Sequence, residues 1–420
     1  MIELVYTFLL GIIAGIFSGL APGVSIAMGF MLFLPLIPVD ALNLTMYTMV
    51  VGLGTQFFGS QSVLYYRIPG ESSSFPTLIE STNFDTTEKI RNAIQVTTWG
   101  SLVASVIAIM LLGVALTTNI LDWLYIPIEA KGVIYFFLIL LSVFSTRSWL
   151  VNLLILIFAS LIAFYEDIAP MTGILPTFYF NSMLSLIIVF AMQLVWQKPD
   201  IVISQDIAKK SDYKFTQWLP TYVKYGAIGT MFGLIPQLGA TLSSYTVYLW
   251  EKFKKAPAIN RVAAAETTNN GAVVFQWMPL FLFGIPITGS EIMLVSHFNM
   301  HGLNFDFLRE QAWTLMLAVA ISALVYTKLC LVTNKVFYNN LGKLISNRLF
   351  SILIAIVSMG LFFWGGGYTL EFMLIHLAVF IPVSWIVAKF QVNLISVIVG
   401  LMLSNQILFT FFQLNEIYNY

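Results

Sequence analysis

The sequence is poor in charge. Charged residues make up 10% of its 420 positions, against about 25% in an ordinary globular protein. Its 20 basic residues balance 20 acidic ones, so there is no polybasic tail or face and no nucleic-acid partner is expected. Cysteine is nearly absent: Cys330 stands alone, which excludes an internal disulfide. Histidine is scarce too, and His297, His301 and His376 form no cluster with metal-ligand spacing. No metal site or cofactor is therefore expected, beyond Na+ or H+ as a coupling ion. A cleavable leader is also missing from the reading. Met1-Ile2-Glu3 gives no basic start, and the apolar run that follows is too long for a leader core, so the first span is expected to target the chain.

What the chain has is apolar surface. Hydrophobic residues are 59% of the sequence and the mean hydropathy is +0.86. A spanning helix takes about 20 apolar residues, and the runs here predict an all-α polytopic membrane protein of about 11–14 membrane segments in lipid. Apolar runs fall at 4–20, 23–38, 41–67, 94–118, 131–146, 149–165, 171–195, 217–234, 237–250, 270–298, 311–334, 349–365, 368–388 and 391–413. Polar connectors at 79–93, 196–216, 251–266 and 335–348 hold most of the basic residues outside the spans, and the positive-inside rule makes them cytoplasmic. Segments 4–38 and 217–250 must then each start and end on one side, as hairpins bent at a proline.

The residues at those bends recur. Gly15-x3-Gly19-Leu20-x-Pro22 lines up with Gly229-x3-Gly233-Leu234-x-Pro236, and Ile68-Pro69-Gly70 with Ile285-Pro286-Ile287. Order and spacing are both kept, which predicts a duplication. The first repeat is 1–195, with a second break at 68–74. A linker follows at 196–216, and the second repeat is 217–420, with its second break at 284–291. Charge places the first hairpin's ends outside and the second's inside, so the repeats are expected to be inverted with broken, re-entrant helices.

Breaks of this kind suit solute binding. Proline and glycine interrupt the helix, and the freed backbone groups must be buried in protein or face water. Each restarting helix offers N–H groups and a positive dipole end to an anion. Around the breaks, Pro22, Gly23, Val24, Ser25, Gly54, Gly59, Ser60, Pro69, Gly70, Glu71, Ser72 and Ser73 are the substrate-binding candidates of the first half. Those of the second are Pro236, Gln237, Gly239, Asn269, Asn270, Pro286, Thr288, Gly289 and Ser290. Glu266, Asn269, Glu71 and Glu291 are candidates for ion coupling, because a carboxylate at depth costs about 2.5–3.5 kcal/mol on insertion scales. Against this, Glu266 could be a helix-start acid at the cytoplasmic face, and Glu71 and Glu291 could be solvated at loop mouths. Arg67 could pair with Glu71 or meet an anionic solute. His297 and His301 read as interfacial, and Glu371 and His376 as structural.

These motifs together resemble the large membrane subunit of tripartite tricarboxylate transporters. The resemblance rests on Gly15-x3-Gly19-x2-Pro22-Gly23, Leu34-Pro35, Pro38-x2-Ala41-Leu42, Gly54-x4-Gly59-Ser60 and Ile68-Pro69-Gly70 in the first half. In the second it rests on Gly233-x2-Pro236, Gly239-Ala240-Thr241, Glu266-x2-Asn269-Asn270, Pro279, Gly284-Ile285-Pro286 and His301-Gly302. It implies an inner-membrane permease for small carboxylates of the tricarboxylate type, driven by an ion gradient. It also implies a small four-helix membrane subunit and a periplasmic solute-binding protein as partners. The same motifs imply a substrate site where the repeats meet. Gln237 stands where the family has glycine, Ile287-Thr288 replaces the glycine after the second Ile-Pro, and Ala256–Ala265 replaces a glycine-rich stretch. Glu71 and Glu291 put negative charge where a tricarboxylate would bind, so a smaller or less charged acid remains open. Two other readings stay open: a partner-independent transporter of another solute, and a non-transporting assembly subunit. Ser60 with His297 gives no hydrolase, since no acid or oxyanion hole accompanies them, and no enzymatic activity is expected.

Overall fold

Two glycine-bearing helices dock on two polar ones, and these contacts organise the molecule. The structure, a computed structural model, describes residues 2–21, 25–118, 128–144, 146–172, 181–196, 208, 211–303, 310–404 and 407. Its regular elements are all helical among the described residues. The first half runs α1 (Ile2–Leu20), α2 (Ile26–Phe33), α3 (Ala41–Tyr66), a tight turn at Ser72–Ser74 and α4 (Phe75–Glu80). Then come α5 (Thr87–Thr117), α6 (Ile128–Phe144), α7 (Trp149–Thr172) and α8 (Ser182–Trp196). The second half runs α9 (Phe215–Phe232), α10 (Gly239–Phe253), α11 (Ala258–Phe275), α12 (Trp277–Phe283) and α13 (Gly289–His301). It ends with α14 (Ala312–Val332), α15 (Lys335–Ile345), α16 (Arg348–Gly366), α17 (Leu370–Phe390) and α18 (Leu394–Ile398), which widens into a π turn over Val399–Leu403.

The G-x-x-x-G pairs act as the sequence suggests, by letting backbones touch. A Cβ on Gly15 would sit 3.0 Å from the Gly54 Cα, and one on Gly19 would sit 2.8 Å from the Thr55 carbonyl oxygen. In the second half a Cβ on Gly229 would lie 2.1 Å from the Thr268 carbonyl oxygen, and one on Gly233 2.6 Å from that of Ala272. So α1 lies on α3 as α9 lies on α11. The helix bounds repeat at the motif spacing: Ala41–Tyr66 and the combined α11–α12, Ala258–Phe283, differ by 217 at both ends. The turn at Ser72 and the start of α13 at Gly289 differ by the same amount.

Helices α3 and α11 are the polar centre. Every residue of α3 except Leu42 is buried, and so is every residue of α11 from Val262 to Val274. Their hydroxyls and amides therefore meet protein rather than hydrocarbon. Outer helices show the reverse: in α16 only Ala355 and Ser358 are buried. Five described helices (α1, α5, α14, α16 and α17) are long and apolar enough to cross a bilayer by length and composition alone. The polar α3 and α11 depend on these apolar neighbours for a membrane setting.

Three expected boundaries shift. The connector 251–266 shrinks to the few residues between Phe253 and Ala258, because the alanine run forms helix rather than loop. The apolar run 270–298 divides into α11, α12 and α13, broken at Gly284–Thr288. The connector 335–348 contains helix α15, which buries Tyr338, Gly342 and Ile345 on one side. Most of the 196–216 linker lies outside the described residues, as do Pro22, Gly23 and Val24.

The Gly229 contact gives a clean stability test. We expect Gly229→Ala to lower stability by about 1–3 kcal/mol, as overpacking does, measured by thermal unfolding in detergent. Gly360→Ala, which meets nothing within 4 Å, should leave the transition unchanged.

Candidate functional site

The second break of each half begins with the same cap. Arg67 ends α3 at φ 53° and Gly284 ends α12 at φ 65°, both left-handed, and each is followed by Ile-Pro. The left-handed cap reverses the chain, and the proline keeps the next residues extended. At the first break of the second half, Pro236-Gln237 turns the chain with Gln237 at φ 58°. An L-residue there costs about 1–2 kcal/mol, which glycine would avoid.

The breaks are bonded to one another in sequence. The Glu71 carboxylate, after the second break of the first half, faces the backbone N–H of Ile26 at the start of α2. It accepts from Gln56 Nε2 at 2.5 Å, while Gln56 Oε1 takes the Ser73 hydroxyl at 3.1 Å. Ser72 Oγ meets Thr241 Oγ1 at 2.7 Å, and Ser244 Oγ donates to the Ser73 carbonyl at 2.7 Å, so this break joins α10 of the second half. Gln237 N–H donates to the Ile287 carbonyl at 2.9 Å, joining the two breaks of the second half. Contact between α2 and α13 closes the circuit. The seam is partly open: Ser72 is exposed, and Thr241, Gln237, Thr288 and Gly289 are half-buried.

Glu266 binds the halves together from inside. It lies in the middle of α11 with no exposure, and not at a cytoplasmic helix start. Ser60 on α3 and Thr77 on α4 donate to its carboxylate, and Asn269 Nδ2 does so at 3.1 Å. Asn270 Nδ2 donates to the Glu266 carbonyl at 2.8 Å and to Asn269 Oδ1 at 2.7 Å. Each hydroxyl can donate to a carboxylate or accept from a carboxylic acid, so the cluster can hold Glu266 with or without its proton. Ser60 has a second acceptor in the Gln56 carbonyl at 3.3 Å.

Glu71 and Glu291 depart from the loop-mouth reading. Glu291 is fully buried and forms a capping box on α13: its Oε2 accepts from Ile287 N–H at 2.7 Å and Thr288 N–H at 3.1 Å, and its own N–H bonds Thr288 Oγ1 at 3.4 Å. Glu71 is half-buried and takes the Gln56 amide, while α2 is capped by Ser25. The α13 N-terminus that sequence reasoning offered to a solute is thus occupied by the chain's own Glu291, whereas α10 starts without a side-chain cap. Arg67 is exposed, and the described ion pairs do not include an Arg67–Glu71 pair.

The other candidates separate into the circuit and its frame. Ser25 caps α2, accepting from Met28 N–H at 3.3 Å, and Ser290 Oγ lies 3.3 Å from Thr288 Oγ1. Pro286 is buried, while Pro69 and Pro236 are half-buried. Gly70 is required by close approach, since a Cβ would lie 2.6 Å from the Gly19 carbonyl oxygen and 2.9 Å from the Gly59 Cα. A Cβ on Gly239 would lie 2.4 Å from the Phe232 carbonyl oxygen. Gly54 serves packing, against Gly15 and the Tyr326 ring, and a Cβ on Gly289 would meet Ile398 at 3.0 Å. His297 is buried beside His301, ring centroids 4.5 Å apart. His376 is structural, its Nε2 accepting from Asn181 N–H at 2.9 Å.

Sequence reasoning missed Gln56, Thr77 and a second inter-half cluster. Glu80, which ends α4, is buried and takes Arg261 Nη2 at 2.7 Å, Asn83 Nδ2 at 2.8 Å and Tyr248 Oη at 2.9 Å. It joins α4 to α10 and α11. The signal was available in the polarity of 79–83 and the lone Arg261, but both lay in stretches read as loops.

Two variants follow from this geometry. Arg261→Ala leaves Glu80 buried without its charge partner and should cost about 3–5 kcal/mol; adding Glu80→Gln should recover most of the loss of thermal stability. Gln237→Gly removes the left-handed penalty and should stabilise by about 1 kcal/mol, read as a higher unfolding midpoint.

Comparison with known proteins agrees with the motif spacing. Residues 5–399 match the tripartite tricarboxylate transporter TctA family. One relative is an uncharacterized 52.8 kDa protein in the TAR-I ttuC' 3' region of Agrobacterium vitis, 25% identical over 324 residues. That alignment spans 70% of this chain and 62% of the relative's length. No solved structure matches the chain. With a family match over nearly all of its length, the chain belongs to the tripartite tricarboxylate transporter TctA family.

Proposed function

We propose that the chain is the permease component of an ion-gradient-driven transporter for small organic carboxylates in a bacterial-type cytoplasmic membrane. The solute binds where the four breaks meet. Access alternates as one helix bundle moves against the other, with the halves in inverted topology as their loop charges suggest. The observation that carries this reading is Glu266: a fully buried acid held by Ser60 and Thr77 of the opposite half and by Asn269 of its own helix. An acid at that depth is costly unless it has work to do, and its donors come from both bodies that must move.

Glu266 and Asn269 are the coupling site in this proposal, for a proton or a sodium ion. Asn270 Oδ1, buried and without a hydrogen-bond partner among the described residues, is a further oxygen ligand for a cation. Glu291 has only Oε1 uncommitted and acts mainly through its cap. Membership of a tripartite family supports two partners, a small membrane subunit and a periplasmic solute-binding protein that delivers the solute. The polar, half-open seam at Ser72, Thr241 and Thr288 favours solute passage over an assembly subunit with breaks packed shut.

Uptake of labelled carboxylates into vesicles, with and without imposed sodium and proton gradients, tests this. Accumulation above the outside level should require one of the two gradients. Glu266→Gln and Asn269→Ala should each reduce it by about tenfold or more, the scale of losing a hydrogen bond to a charged group. Gradient-driven accumulation at the native level in Glu266→Gln would contradict the coupling assignment.

A further inference from the structure

The corner between α14 and α16 holds a short helix with one face turned away from the protein. Helix α15 has 11 residues, about 16 Å of axis, and so cannot cross an apolar layer of about 30 Å. Both neighbours, α14 and α16, are long and apolar enough to do so. Asn334 caps α15 through the Phe337 N–H, and Asn347 caps α16 through the Leu349 N–H, so both corners are built turns. The helix is therefore held at the level where two spans end, on the side that its basic residues mark as cytoplasmic.

Its two faces differ. Tyr338, Gly342 and Ile345 are buried. Tyr338 stacks on Tyr65 with ring centroids 3.5 Å apart, and Tyr66 Oη donates to the Tyr338 carbonyl at 2.7 Å. The inner face thus rests on the last turn of α3, just before the Ile68-Pro69 break. The outer face exposes Val336, Phe337, Asn340, Lys343 and Leu344, and Arg348 and Leu349 are exposed at the start of α16. Apolar side chains beside cations on an open helix face are the pattern of a helix lying in a lipid interface. The charge here is also of one sign. Between Glu310 and Glu371 the sequence has four basic residues, Lys328, Lys335, Lys343 and Arg348, and no acid. Lys328 is exposed one turn before α14 ends, close enough for its stem to bring the ammonium to the same level.

We infer that the outer face of α15 is a binding surface for anionic phospholipid of the inner leaflet. Phe337 and Leu344 enter the acyl boundary, and Lys343 and Arg348 meet the headgroup phosphates. The two flanking spans already fix the helix at the bilayer boundary, which sets these side chains against headgroups, and a run of cations without acids fits a negative surface there. Because the opposite face carries Tyr65 and Tyr66, lipid bound here braces the end of α3 and the break that follows it. This lipid contact depends neither on the solute nor on the coupling ion.

The test uses the full-length chain in neutral detergent, with phosphatidylglycerol or phosphatidylcholine of the same acyl chains added. Phosphatidylglycerol should raise the unfolding midpoint, as a ligand of the folded state does, phosphatidylcholine should raise it less, and high salt should shrink the difference. Lys343→Gln with Arg348→Gln should raise the phosphatidylglycerol concentration for half the shift about thirtyfold, at about fivefold for each basic residue. Lys214→Gln with Lys255→Gln removes two exposed cations in other connectors and should leave that concentration unchanged. In liposomes, a fluorophore on Leu344→Cys, attached selectively because Cys330 is buried, should be quenched by brominated phosphatidylglycerol. Equal shifts with the two lipids, or equal losses in the two double variants, would overturn the inference. So would an unquenched fluorophore, which would turn this face toward water or a protein partner instead.

Discussion

Unpaired backbone groups cannot stand in hydrocarbon, and the architecture follows from that constraint. Four interruptions at Gly and Pro positions strip hydrogen bonds from helices that a membrane would otherwise demand intact. The chain answers by giving the described breaks protein partners. It packs glycine faces of α1 and α9 directly on α3 and α11, buries those two polar helices, and leaves apolar helices such as α16 to meet the lipid. Described breaks bond one another: Gln237 to Ile287 and Ser72 to Thr241.

That solution has a functional consequence. A circuit of bonded breaks joins the two halves, beside the Glu266 and Glu80 clusters that also cross between them. Among the described residues, Glu266 and Glu80 are the acids bonded across the halves, and they differ in kind. Glu80 is paired with a full positive charge in Arg261, whereas Glu266 has only hydroxyl and amide donors. A charge-paired acid is a fastener. One held by rotatable hydroxyls can change its protonation or its partner without leaving a bare ion behind.

Much of this was legible in the sequence, and the reasons are specific. Composition required helices in a membrane, and the G-x-x-x-G and Ile-Pro pairs gave the places where helices touch and break. Asn269, Asn270, Ser60 and Glu266 were identifiable because polar side chains are rare in such a chain. The errors came where local polarity was read as exposure. The stretch 251–266 carries enough charge to look like a loop, yet its alanines form α11 and carry Glu266 and Arg261 into the interior. Glu71 and Glu291 had two readings in the sequence, ion coupling or solvation at a loop mouth. Only the folded chain shows that Glu291 caps α13 and that Glu71 takes the Gln56 amide of α3. Thr77 and Gln56 had no local signature, because their roles arise from contact with Glu266 and Glu71.

The most direct test of the central claim is a reversible tether across the halves. Ser72→Cys with Thr241→Cys replaces two hydroxyls 2.7 Å apart, in a chain whose native cysteine, Cys330, is buried. If the breaks form one site through which a solute passes as the halves move, oxidation should form the disulfide and stop uptake, and reduction should restore it. Uptake that continues at full rate with the disulfide closed, or a pair that never cross-links, would contradict the account.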